Sequence, residues 1–325
     1  MKSVALLALL LVSCALVPGA QAASDTAYPA RPITIVVPFP PGGGPDKLAR
    51  VIGEKLAVSL GQSIIVENRP GASGTLGAAH VARAVPDGHT LMMAPNTFVL
   101  SPLVLPKGVV KYDVQADFAP VIVPSKALLV LAAHPGLGVK TLDELVRYAQ
   151  RNPGVTYTGS SSGSPMHVAG EMFKQAAGID MMFVAYKGLA PAVADTLAGH
   201  VKLIFGPYGT LAPHLKSGAL VPLGGLDAER FAFAPDIAPI REQGYPAVVA
   251  NIWSGLFAPR QTPAPVIERL NREINKILQM PDVKAALEGS GEILVGGPPE
   301  VLAEMVKRDT EVYGKIVRTA NITAD

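Results

Sequence analysis

The sequence predicts an α/β protein of two lobes, with mostly parallel sheets flanked by helices and a two-strand hinge. Three observations carry this. Short β-branched runs alternate with runs of helical spacing along most of the chain, the pattern of sheets covered on both faces. Two small-residue turns share one grammar: Pro38-Phe39-Pro40-Pro41-Gly42-Gly43-Gly44-Pro45-Asp46 and Gly159-Ser160-Ser161-Ser162-Gly163-Ser164-Pro165 each follow a β-like run and open a helix-like run. Two apolar stretches, near residues 121–130 and 251–257, are placed to cross between lobes.

Each element follows in order. Ile33-Thr34-Ile35-Val36-Val37 reads as a buried strand, and spacing at Leu48, Val51, Ile52, Leu56 and Leu60 predicts a helix over 46–60, ended by Gly61. A second strand over 63–67 leads through Asn68-Arg69-Pro70-Gly71-Ala72-Ser73-Gly74 into a small-residue helix over 75–84. Pro86-Asp87-Gly88 turns the chain into a third strand over 90–94. The run 121–133 is apolar, interrupted by Pro124, and suits a strand passing between lobes. Thr141 with Glu144 three residues on is a capping box opening a helix to Arg151. A strand over 155–158 feeds the second turn and a helix over 165–177 leaves it. Strands at 181–185, 201–205 and 220–224 and a helix over 190–198 continue the alternation. The run 251–258 returns to the first lobe, followed by helices at 264–279, 281–288 and 299–320. Lobe 1 therefore comprises residues 23–125 and 255–325, and lobe 2 residues 126–254.

An apolar fraction of 49% against 17% charged residues indicates a globular chain that buries a sizeable core. The net charge is only +2 and the basic residues are dispersed, which argues against a nucleic-acid partner. Lys2, an apolar run from Val4 to Val17, a Pro18-Gly19 break and Ala20-Gln21-Ala22 form a secretory signal cleaved near Ala22. That run is shorter than the roughly 20 residues that span a bilayer. Cys14, the sole cysteine, lies inside the signal, so the mature chain carries no disulfide, zinc-thiolate site or cysteine nucleophile. A lipoprotein anchored at Cys14 is the competing reading. Leu11-Val12-Ser13-Cys14 is only a loose lipobox, however, and the Ala20-Gln21-Ala22 site is better placed.

Helix N-termini present unpaired N–H groups and partial positive charge, so each turn is half of an anion site. Ser160, Ser161, Ser162 and Ser164 add hydroxyls to such a nest, whereas capping the helix would require Ser164 alone. Gly159-Ser160-Ser161-Ser162-Gly163 also satisfies G-x-S-x-G, so a secreted serine esterase with Ser161 as nucleophile is an alternative. Asp180, Asp195, His200 and His214 supply the acid-then-histidine order, but they crowd close behind Ser161. Pro165 also delays the helix, and no HGGG-like oxyanion loop is present. No Lys-Ser/Thr pair closes the first turn as in a phosphate-binding loop. Gly71, Gly74 and Gly77 lack the short first spacing of a dinucleotide fingerprint, so no cofactor is expected. The six histidines are scattered without ligand spacing, so no metal is expected either. His167 stands out because it falls in the first turn of the second helix. Asp46 either complements its helix dipole or accepts a hydrogen bond from a ligand.

With these residues in hand, the chain resembles the Bug-type receptors, the periplasmic solute-binding proteins of tripartite tricarboxylate transporters, from about Tyr28 to Ile316. The marks are Tyr28-Pro29-x-Arg31-Pro32-Ile33, the Val37–Gly43 turn with Asp46 and Ala49-Arg50, Val66-Glu67-Asn68-Arg69-Pro70-Gly71-Ala72 and Pro86-Asp87-Gly88-x-Thr90-Leu91. They continue with Gly163-Ser164-x-x-His167-x-x-Gly170-Glu171-x-Phe173 and Tyr186-Lys187-Gly188-x-Ala190-Pro191-Ala192. The resemblance implies a type II-like clamshell in the periplasm that closes on a small carboxylated organic solute and delivers it to membrane transporter subunits. A role in signalling is the alternative use of the same clamshell. The receptor is expected to act as a monomer. Carried over residue by residue, the resemblance implies solute contacts from Phe39, Gly42, Gly43, Gly44 and Asp46, from Asn96 and Thr97, and from Ser160, Ser161, Ser162, Gly163, Ser164 and His167. Two departures stand out. Pro45 replaces a small residue, and Gly206-Pro207 lines the cleft where members often carry Phe-Asp-Asn, which removes a carboxylate from its rim.

Overall fold

The computed structural model describes residues 28–231 and 233–324; the signal segment, the Ala22 cleavage site and Cys14 lie outside the described residues. The elements are β1 (Ile33–Val37), α1 (Gly44–Leu60), β2 (Ile64–Asn68), α2 (Thr75–Ala82), β3 (Thr90–Pro95), α3 (Thr97–Val104), β4 (Phe118–Ala133), α4 (Leu142–Arg151), β5 (Val155–Thr158) and α5 (Pro165–Ala177). They continue as β6 (Met181–Phe183), α6 (Leu189–Leu197), β7 (Leu203–Pro207), α7 (Tyr208–Lys216), β8 (Val221–Gly225), β9 (Asn251–Pro259), α8 (Ala264–Leu278), α9 (Pro281–Glu288), β10 (Glu292–Leu294) and α10 (Pro299–Thr319). One mixed, ten-stranded sheet runs β2-β1-β3-β9-β4-β7-β5-β6, with β8 and β10 also paired to β4.

The parallel pairing expected from strand-helix alternation holds at the two ends of this sheet, β1 with β2 and β3, and β5 with β6 and β7. The middle is antiparallel. β9 runs against both β3 and β4, and β4 runs against β7, β8 and β10. The cause is β4 itself: its first part pairs with β9 as far as Leu128, and from Leu129 onward it pairs with β7. A strand that leaves one half and enters the other meets the second set of parallel strands head on. The β1, β3 set and the β5, β7 set therefore point their C-terminal ends at one seam. Pro124 falls within a register shift of β4, where its missing N–H breaks the ladder with β9, and its carbonyl accepts from the Val295 N–H instead.

Helices cover both faces of each half. Leu48, Ile52 and Leu56 of α1 pack with Ile267, Leu270 and Ile274 of α8 on one face of the first half, and α2, α3 and α10 cover the other. In the second half, α4 and α5 pack one face through Leu145, Val168 and Phe173, and α6 and α7 cover the other through Val193 and Leu211. Three elements escape the sequence reading. α3 contains Pro102, and the Phe98 carbonyl that this proline leaves free accepts instead from the Tyr112 hydroxyl at 3.0 Å. α7 contains Pro213, and β10 is only three residues long.

α10 crosses the seam on its own account. Leu302 and Val306 near its start pack in the first half, whereas Tyr313, Ile316 and Val317 enter the core of the second with Leu100 and Val104 of α3. Between these ends Asp309, 1% exposed, accepts from the Trp253 indole N–H at 2.7 Å, from Asn96 Nδ2 at 3.4 Å and from the Arg308 guanidinium at 2.6 Å. Burial pushes the Asp309 carboxyl pKa up, against the opposing pull of Arg308. A second buried knot adjoins it: Asp227 takes Lys126 of β4 at 2.8 Å and Asn251 of β9 at 3.3 Å. Replacing Asp309 by Ala strands the Trp253 indole donor, worth about 1–3 kcal/mol when left unsatisfied, and leaves Asn96 Nδ2 with the Asn251 carbonyl alone. The expected outcome is a marked fall in the urea midpoint of Asp309→Ala, with unfolding still cooperative.

Candidate functional site

The first turn is held by a knot that begins at Asp46. Its Oδ2 accepts from the Gly42 N–H at 2.9 Å and from Arg50 Nε at 3.1 Å, and its Oδ1 accepts from Arg50 at 2.9 Å and Asn68 Nδ2 at 2.9 Å. Asn68 Nδ2 also donates to the Phe39 carbonyl. The Arg50 hydrogen bonds, with those from Gly42 and Asn68, hold the Asp46 pKa at about 2. With four donors on two oxygens, Asp46 is engaged in shaping the turn. Gly42, at φ +87°, bends the chain so that Gly43 and Pro45 reach the seam. Among the described hydrogen bonds, the N–H groups of Gly43 and Gly44 have no protein acceptor.

The second turn divides its serines by task. Ser164 Oγ caps α5, accepting from the His167 N–H at 3.3 Å. Ser162 Oγ donates to the Thr323 carbonyl at 2.6 Å, and Ala324 N–H donates to the Val104 carbonyl, so the segment after α10 ties this turn to α3. Gly163, at φ +71°, lies where a Cβ would strike Val104 and Ala324. Its N–H donates to His167 Nδ1 at 3.2 Å, which requires an unprotonated nitrogen there. The His167 ring stacks on Phe183 with centroids 3.7 Å apart, and burial, aided by Lys174, lowers its pKa to about 4. Ser160 and Ser161 remain: among the described hydrogen bonds their side chains and N–H groups have no protein partner.

Both turns open into a cavity of about 650 Å³ at the seam. Phe39, Gly43, Thr97, Ser160, Ser161, Ser162, Gly163 and Ser164 line it as expected. So do residues the sequence reading misses: Ser73, Ser101, Val104, Leu189, Ile252 and Ala324. Gly188-Leu189 was signposted by the Tyr186-Lys187-Gly188 motif, while Ser101 and Val104 belong to the unforeseen α3. A second cavity of about 510 Å³ shares Pro45, Pro95, Leu189 and Ile252 with the first, and holds Gly44 and Pro207.

Five expected contacts stand back from both cavities: Gly42, Asp46, Asn96, His167 and Gly206. Gly42 and Asp46 are occupied with each other, and His167 is occupied with Gly163 and Phe183. Asn96 is fully buried, donating to the Asn251 carbonyl at 2.9 Å. Gly206 lies under Leu211.

The electrostatics come from backbone. α1, α3, α5 and α6 all begin at the first cavity, through Pro45, Thr97, Pro165 and Leu189, because helices that follow strands start where the strands end. No charged side chain lines this cavity among the described residues. The esterase alternative finds no assembled triad among the described hydrogen bonds. Its acid–histidine pair exists, with His200 Nδ1 3.8 Å from Asp195 Oδ1, but α6 carries that pair away from Leu189 over about 12 Å of helix. No described side-chain hydrogen bond joins Ser161 to a histidine.

Residues 48–322 match the model of the tripartite tricarboxylate transporter family receptor. Protein BugT of Bordetella pertussis is 34% identical over 301 residues, which is 92% of each chain. Among solved structures, an R. palustris protein with adipate aligns with a TM-score of 0.78 at 31% identity, covering 91% of this chain and 99% of that one. MatC from Rhodopseudomonas palustris with bound malate aligns with a TM-score of 0.75 at 31% identity, covering 89% of this chain and all of the other. By sequence and by fold, the chain belongs to the tripartite tricarboxylate transporter receptor family.

Proposed function

We propose that this receptor works in the periplasm, takes a small organic acid between the two halves of its sheet and passes it to the membrane components of a transporter. The observation that carries the reading is the first cavity: four helix N-termini and the unpaired donors of Gly43, Ser160 and Ser161 converge on a space free of charged side chains. Such a site holds a carboxylate by N–H and hydroxyl donors rather than by a bidentate guanidinium. Adipate and malate in two relatives support the ligand class. Residues up to 125 and from 255 onward act as one lobe and 126–254 as the other, with β4 and the start of β9 flexing between them. The residues after α10 belong functionally to both, since they touch the second turn.

Binding without turnover is the activity assigned, with Ser161 a hydrogen-bond donor and not a nucleophile. Incubation with an activated ester is expected to give no product beyond the uncatalysed rate; hydrolysis lost in Ser161→Ala would overturn the assignment.

Calorimetry with adipate and malate tests the binding site directly. Ser161→Ala removes a free donor and should weaken binding by about 1–2 kcal/mol, roughly 5- to 30-fold in Kd. Ser164→Ala, whose hydroxyl is already committed to the helix cap, should cost about 1 kcal/mol of stability. Wild-type affinity in Ser161→Ala would remove the second turn from the site.

His167 adds a pH signature. Its folded pKa of about 4 lies below the ordinary 6.5, so the unfolded chain binds that proton more readily than the native state does. The stabilisation from the neutral ring is complete above about pH 6.5 and is lost as pH falls through 4. Thermal melts between pH 7 and 4 should show this decline in the wild type and a flatter profile in His167→Phe. Equal slopes would remove His167 from the hold on Gly163.

A further inference from the structure

The second cavity carries a group that the first lacks. Glu292, the first residue of β10, sits opposite Ala127 of β4, and its Oε2 accepts from the Ser125 hydroxyl at 2.7 Å. The other oxygen, Oε1, stands 3.9 Å from the point a Cβ would occupy on Gly44, so it lies beside the start of α1. Among the described hydrogen bonds it has no donor. Pro207, Gly209 and Thr210 at the start of α7 and Ser254 of β9 line the same cavity. The start of α7 closes tightly on the chain before Glu292: a Cβ on Gly209 would run into the Ser290 carbonyl, so the two backbones touch and only small residues fit there. Lys47 is the other charged residue lining this cavity, and it is exposed at the rim, where water screens it.

We propose that Glu292 is the specificity-determining residue for the end of the solute remote from Ser160 and Ser161. It favours an organic acid whose far end donates a hydrogen bond, a hydroxyl or an ammonium, over a dicarboxylate of the same length. The inference rests on the first cavity being the carboxylate site. The two cavities adjoin, with Pro45, Pro95, Leu189 and Ile252 common to their walls, and the proposal places one extended solute across both. A partly buried carboxylate with one oxygen unpaired gains most from a donor and repels a second carboxylate brought into the same low-dielectric space. Burial raises the Glu292 pKa, the direction expected of a carboxyl waiting for a partner.

The test is a calorimetric ranking at neutral pH of two matched series: succinate, 4-hydroxybutyrate, 4-aminobutyrate and butyrate, then adipate, 6-hydroxyhexanoate, 6-aminohexanoate and hexanoate. In one series or the other, the donor-ended acids should bind about tenfold or more tightly than the dicarboxylate. Glu292→Gln keeps an acceptor for Ser125 and should erase that ordering chiefly by improving the dicarboxylate. If the variant fails to fold, the wild-type ranking still decides the matter. A dicarboxylate that binds tightest to the wild type, or an ordering unchanged by Glu292→Gln, overturns the role of Glu292 while leaving the carboxylate site standing. If none of the eight acids binds and Ser161→Ala changes nothing, the carboxylate site falls and this proposal with it.

Discussion

The structure depends on one strand serving two sheets. β4 is sixteen residues long, and its change of partner between Leu128 and Leu129 turns two ordinary α/β half-sheets toward each other. In a single parallel sheet, helix N-termini emerge along one edge and face solvent. Here the second half is entered by a strand running against its own parallel set, so both edges face inward across a gap. The dipoles of α1, α3, α5 and α6 then act on the same volume, and the field needs no charged side chain to sustain it.

A seam that presents so many unpaired donors is held from behind, where α10 and α3 carry apolar contacts from one half into the other. The Asp309–Trp253–Asn96 and Asp227–Lys126–Asn251 knots sit on that side, on the strands that change partners and on the helix that recrosses. Buried hydrogen bonds of this kind are directional, and they fix how β4, β9 and α10 lie together more tightly than apolar contacts alone would. The Oδ1 atoms of Asn96 and Asn251 have no protein partner, so this fastening is incompletely satisfied at the point where the halves would pivot. Incomplete satisfaction at a pivot lowers the cost of changing the geometry, which suits a receptor that must both take and release its solute.

Much of the fold was legible because local signals agreed with the tertiary result. The strand over 155–158, the helix over 165–177 and the helix over 281–288 sit where periodicity and proline placement put them. Failures came where tertiary partners override local rules. Pro102 argues against a helix until Tyr112 arrives to satisfy Phe98, and β10 is too short to show a period. At the site, both turns were visible from glycine, proline and serine content alone. The division of labour among their residues was legible only at Ser164, the one serine suited to cap its helix. Asp46 and Asn68 are 22 positions apart, Ser162 and Thr323 are 161 apart, and no local pattern reports such a bond. Glu292 was invisible for the same reason: its partner Ser125 lies on a strand 167 residues earlier.

The composition of the cleft wall follows from what the donors must do. Prolines 40, 41, 45, 95 and 165 line the first cavity beside the free N–H groups. Proline has a fixed φ and no N–H of its own, so each one stiffens the turn without adding a donor that would need its own acceptor. A donor held in place before the solute arrives loses little conformational freedom on binding, and that saving adds directly to affinity. The Asp46 knot acts in the same sense for the first turn, as His167 and the Thr323 carbonyl do for the second. Apart from the Ser160 and Ser161 hydroxyls, the polar side chains of the two turns are thus spent on holding backbone, and those hydroxyls and the backbone N–H groups are left to face the cleft. The serine hydroxyls and backbone donors would meet the same terminal group in any organic acid, so discrimination between acids falls to the other end of the cleft, where Glu292 keeps an oxygen unpaired.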